Sequence, residues 1–134
     1  MAEDKKVTRV SVAEITYEPD TSIVIIDYFD NKAISKEDAE EVISTSMQLV
    51  GDNPFGVISI FKDNLIKADA QEVLRQESPN LVAVASIVKS EILKSIFNTF
   101  VSFKKLGYKF RMFTDLEEAK QWVASEIEAF KKNS

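Results

Sequence analysis

Apolar positions along the chain follow two rhythms: short β-prone runs, and longer stretches spaced three and four apart. Residues Val7 to Tyr17 are β-prone with imperfect alternation and read as an edge strand. Pro19-Asp20-Thr21-Ser22 is turn chemistry, and Ile23 to Phe29 forms a second strand, so the two read as a hairpin. Ser35 is a good N-cap, with acidic residues behind it that suit the positive helix end. Ala39, Val42, Ile43, Met47 and Val50 then give one apolar face, and Gly51 followed by Asp52-Asn53-Pro54 ends the helix.

Val57 to Phe61 and Leu81 to Val88 are continuous apolar runs, the mark of strands buried on both faces. Between them Asp69 to Gln76 predicts a short helix capped by Asp69, with Ala70, Val73 and Leu74 inward. Glu91 to Leu106 is the most apolar helix and stops at Gly107; Tyr108 to Phe113 alternates as a strand. Thr114 with Glu117, and Asp115 with Glu118, form overlapping capping boxes before a helix whose buried stripe is Leu116, Ala119, Trp122, Val123, Ile127 and Phe130. The predicted order is β-β-α-β-α-β-α-β-α. Strands alternating with helices imply right-handed βαβ crossovers, hence a largely parallel sheet of about five strands with helices on both faces. Residues 1–134 read as a single α/β domain, with residues 1–6 as a frayed terminus and the N-terminal β-hairpin at the sheet edge.

Composition changes this picture mainly by exclusion. The chain of 134 residues has no Cys and no His. Thiol nucleophiles, disulfides, thiolate metal sites, imidazole bases and histidine-bound zinc are therefore excluded. A net charge of −5, with both signs interspersed and no basic stripe, argues against nucleic-acid binding. The start of the chain lacks the apolar stretch of a signal peptide, and no run is long enough to span a bilayer, so a cytoplasmic protein is expected. Gly51 and Gly56 have the spacing of a phosphate-binding loop, but Val57 and Ile58 follow where Lys and Ser/Thr are required. The three glycines read as punctuation, one past each of two helices and one before a strand. No cofactor and no metal site is expected.

Two groups of residues remain as candidates. Lys62, Asp63, Asn64, Lys89 and Ser90 follow the two central strands, where open α/β sheets bind ligands. Asp69 and Asp115 read as caps, Asp30 as a turn residue and Asp27 as an exposed edge position, which leaves Asp63 without a structural duty. The second group lies on the third helix. Ile92, Leu93, Ile96, Phe97, Phe100, Val101 and Phe103 cover more of its circumference than a sheet-facing stripe requires, and Ser95, Thr99 and Ser102 line one side. Neighbouring helices, a second copy of the chain or a lipophilic ligand are the three ways to bury that excess.

The C-terminal half, with Tyr108-Lys109-Phe110-Arg111-Met112-Phe113 running into Thr114-Asp115-Leu116-Glu117-Glu118-Ala119 and then Trp122-Val123, resembles the SpoIIAA-like proteins. These are related in fold to STAS domains and to lipid-binding CRAL-TRIO domains. The order of elements matches from about Val7 to Phe130. The resemblance implies a small bacterial STAS-like α/β domain with four helices, often dimeric and of uncharacterised function. STAS antagonists are switched by phosphorylation of a Ser within Asp-Ser-Ser-Gly after the central strand. Residues 61–70 here contain no Ser, Thr or Gly, so the switch is not carried over.

The leading expectation is a non-enzymatic regulatory or interaction module, a homodimer meeting its partner through Ile92, Ser95, Ile96, Thr99, Phe100 and Phe103. The second is a binding protein for a lipophilic ligand, lined by the same helix. The third is an enzyme using Asp63 with Lys62 or Lys89, since burial moves such groups toward neutral pKa.

Overall fold

The computed structural model describes residues 5–76, 78–95 and 107–133. Its strands are β1 (Lys6–Arg9), β2 (Ala13–Glu18), β3 (Ile23–Tyr28), β4 (Phe55–Ile60), β5 (Leu81–Ile87) and β6 (Lys109–Phe113). The helices are α1 (Lys36–Val50), α2 (Ala68–Leu74), α3, described over residues 91–95, and α4 (Leu116–Lys132). The strands form one six-stranded sheet in chain order. The first three pair antiparallel and the rest parallel.

The sheet has one strand more than the pattern predicts. The single edge strand expected over Val7 to Tyr17 is two, folded back where the Val10 N–H donates to the Ala13 carbonyl at 2.9 Å. The imperfect alternation was the trace of that reversal, and Lys6, expected to be frayed, already pairs with Tyr17. The predicted β2–β3 hairpin closes over Pro19 to Ser22, with Ser22 in the left-handed region at φ 59°.

Two clusters form the core, one on each side of the sheet. Val24, Ile26 and Tyr28 of β3 face α1 and α2 with Phe55, Phe61, Ala39, Val42, Ala70 and Val73, and Leu93 of α3 belongs to the same cluster. Ile23, Ile58, Ala83, Ala85 and Ile87 face α4 through Ala119, Val123 and Ile127. Helices thus cover both faces as expected.

The local signals mostly hold. Ser35 caps α1 through a capping box with Asp38: the Asp38 N–H donates to the Ser35 hydroxyl, and the Ser35 N–H to the Asp38 carboxylate. Gly51 ends α1 at φ 62°. Asp115 caps α4, accepting from the Glu118 N–H at 3.0 Å. Asp69 is not a cap: α2 starts a residue earlier, with Lys67 at the N-cap and no side-chain bond there. Gly56 is not a loop residue either. It lies within β4, where an added Cβ would collide with Val123 Cγ1.

Candidate functional site

At the carboxyl ends of the parallel strands, Lys62, Asp63, Lys89 and Ser90 meet Asp30, Thr114 and Asp115 around one cleft. The sequence places four of its five strand-end candidates there. Most of them already have structural partners. Lys62 Nζ donates to Asp27 Oδ1 at 2.6 Å and to the Tyr28 carbonyl at 2.7 Å. Asp27 is thus an ion-pair partner on an interior strand, not an edge residue. Ser90 accepts from the Leu93 N–H at 3.4 Å at the start of α3.

Asn64, the fifth candidate, is buried as a loop clamp. Its Oδ1 accepts from the Lys62 N–H at 2.8 Å, and its Nδ2 donates to the Phe29 and Lys32 carbonyls, each at 2.9 Å. Asp63 and Lys89 are exposed. Among the described residues, no cluster of three or more acidic side chains is placed to hold a metal ion. No described helix is long and apolar enough to cross a membrane.

A second site lies on the other face, between the sheet and α1 and α2. Ile26, Val57, Val84 and Phe110 form its floor across four strands, and Ile43, Met47 and Leu74 close it from the helices. Phe55, Phe61, Ile66 and Leu81 complete the apolar wall, and Gln71, Arg75, Gln76, Ser78 and Tyr108 bring polar groups to it. The cavity measures about 240 Å³. Close-packed interiors hold few voids larger than a water molecule. An apolar cavity with a few convergent polar groups is the usual form of a ligand site.

Polar groups around this cavity are largely engaged. Gln71 Nε2 donates to the Ile66 carbonyl at 2.9 Å and Ser46 Oγ to the Val42 carbonyl at 2.8 Å. Arg75 pairs with Glu72, and the Tyr108 hydroxyl donates to the Arg75 carbonyl at 3.4 Å, tying the end of α2 to the approach to β6. Two serines on the floor, Ser59 and Ser86, differ: both are buried, and neither hydroxyl has a hydrogen-bond partner among the described residues.

On the third helix, Ile92 is 75% exposed and Ser95 is exposed. Ile96, Phe97, Thr99, Phe100, Val101, Ser102 and Phe103 lie outside the described residues.

The domain of unknown function DUF7793 matches residues 17–126, a stretch that contains every described residue lining either site. The chain belongs to the DUF7793 family. Among solved structures, this DUF7793 domain is similar to an uncharacterised protein from the DUF3478 family with a SpoIIAA-like fold, from Shewanella loihica PV-4. The two share 14% identity at a TM-score of 0.56, over 92% of this chain and 98% of the other. The DUF7793 domain therefore has a SpoIIAA-like fold, as the C-terminal motif implied. No curated protein matches it.

The strand-end residues of the DUF7793 domain were legible because their place follows from topology. The cavity was not, since its floor comes from runs that read as uniform core. The one available signal was period two: Phe55, Val57, Ser59 and Phe61 share a face, so Ser59 interrupts an apolar row.

Proposed function

We propose that this DUF7793 domain is a cytoplasmic, non-enzymatic module that binds a small lipophilic molecule between the sheet and α1 and α2. The observation that carries the reading is the largely apolar cavity of about 240 Å³, partly open to solvent and walled mainly by aliphatic and aromatic residues. At roughly 30 Å³ per water-sized group, it has room for a ligand of about eight non-hydrogen atoms. Burial of such a ligand is driven by removal of apolar surface from water. A binding role also suits the strand-end candidates, since Lys62 and Ser90 in the cleft and Asn64 beside it serve the fold.

Chemical-shift mapping with p-xylene, an apolar molecule of that size, tests the reading. Saturable shifts concentrated at Val57, Val84 and Phe110 support it. Shifts absent at saturation with the probe, or spread over the exposed surface, overturn it.

A second reading, an interaction surface on the third helix that joins two copies, is favoured by the exposure of Ile92 at the start of α3. Light scattering separates the two: an Ile92→Asp variant loses mass under the assembly reading and keeps its ligand under the binding reading.

A further inference from the structure

Ser59 and Ser86 are register partners on the adjacent parallel strands β4 and β5, so their side chains stand side by side. The same row continues to Ile26 on one side and Met112 on the other. Both serines line the cavity, and they are 8% and 2% exposed. Their strands are interior, so the sheet ladder uses the backbone groups around them. Neither hydroxyl bonds to another described residue, and both line the cavity, so they are open to whatever enters it. Ser46, on the roof of the same cavity, shows the contrast, because its hydroxyl is consumed by the Val42 carbonyl.

A buried hydroxyl left without a partner is costly, and replacing it by an apolar group of similar shape is close to neutral. Two hydroxyls free to bond, side by side on an apolar floor and reached from the cavity, suit an occupant that brings a polar group to them. Each offers one donor and two acceptor positions. Arg75 is the one charged residue lining the cavity among those described, and it is ion-paired with Glu72. An ionised head group on this floor would be buried against two neutral hydroxyls, which is strongly unfavourable.

We infer that the paired hydroxyls of Ser59 and Ser86 select a neutral lipophile carrying a hydroxyl or carbonyl group, which lies polar end inward on the sheet. The inference rests on the proposed binding role and adds the ligand's chemical class and orientation. Apolar contact with Val57, Val84 and Phe110 supplies affinity, and the serine pair supplies discrimination.

Two molecules of matched size, p-cresol and p-xylene, and the slightly larger anion p-toluate test it by calorimetry. The wild-type chain should bind p-cresol at least as tightly as the more hydrophobic p-xylene, and p-toluate least tightly. In the double variant Ser59→Ala, Ser86→Ala, p-cresol should weaken about tenfold, as the loss of one to two net hydrogen bonds implies, while p-xylene holds or tightens. Equal response of p-cresol and p-xylene to the double variant overturns the selection by hydroxyls and leaves the cavity reading standing. Tightest binding of p-toluate does the same. Failure of all three to bind the folded wild-type chain overturns both.

Discussion

Val123 of α4 occupies the space that a side chain on Gly56 of β4 would fill. The missing Cβ lets the helix approach the strand at the centre of the second core cluster. An added methyl would collide with Val123 Cγ1 and lie 3.3 Å from both the Ala83 carbonyl oxygen and Ile127 Cδ1. Val123 is fully buried, and the backbone carbonyl of β5 is held by the sheet, so neither yields easily. Gly56→Ala should therefore destabilise the fold by about 3 kcal/mol, the upper range for overpacking a core. Urea unfolding checks this, and a paired Val123→Ala should recover part of the loss.

Tyr28 is fully buried and stacked on Phe61 at 4.7 Å between ring centroids, and its hydroxyl has no hydrogen-bond partner among the described residues. Tyr28→Phe keeps the stacked ring and removes a desolvated polar atom. Its stability should equal or exceed wild type, by about 1 kcal/mol at most.

The same residue sets a pH limit. Burial pushes the Tyr28 hydroxyl well above its ordinary pKa, because the charged phenolate is disfavoured inside the core. The unfolded chain then releases this proton at about pH 10 while the folded chain retains it. Above that pH the folded state binds more protons than the unfolded state, so stability falls as pH rises, by up to about 1.4 kcal/mol per pH unit. The contribution is fully present below about pH 10. Denaturant titrations between neutral and strongly alkaline pH should show this loss in wild type and a smaller loss in Tyr28→Phe.

Asn64 holds the loop after β4 through one accepted and two donated hydrogen bonds. Asn64→Ala leaves the Phe29 and Lys32 carbonyls and the Lys62 N–H to find water in a half-buried loop. The expected cost is about 2 kcal/mol. The Lys62 contact to Asp27 should loosen with it, visible as a change in the Lys62 side-chain resonances. By contrast, Lys62→Met alone should cost no more than about 1 kcal/mol, since both members of that ion pair are substantially exposed.

These residues also show what the sequence makes legible. Ser35 and Asp115 announce their helices because a cap is a local bond to a residue three positions on. The strand-end cluster of Lys62, Asp63, Lys89 and Ser90 follows from strand order. The reversal between β1 and β2 carries Ser11 but no Gly, Pro, Asn or Asp, so its turn signal is weak. The close approach at Gly56, the ion pair of Lys62 with Asp27 and the pairing of Ser59 with Ser86 join residues that are distant in sequence. Such contacts depend on register and on which helix covers which face, and single-residue patterns do not encode either.

The cavity beneath α1 and α2 is proposed to take a small lipophile. Val84 stands on its floor, and Val84→Phe would fill much of it. Titration calorimetry of p-cresol against wild type and Val84→Phe, both verified as folded by thermal unfolding, is the most direct test. Saturable one-to-one binding to wild type, lost in Val84→Phe, is the expected result. Equal binding to both proteins, or no saturable binding to wild type, would contradict it.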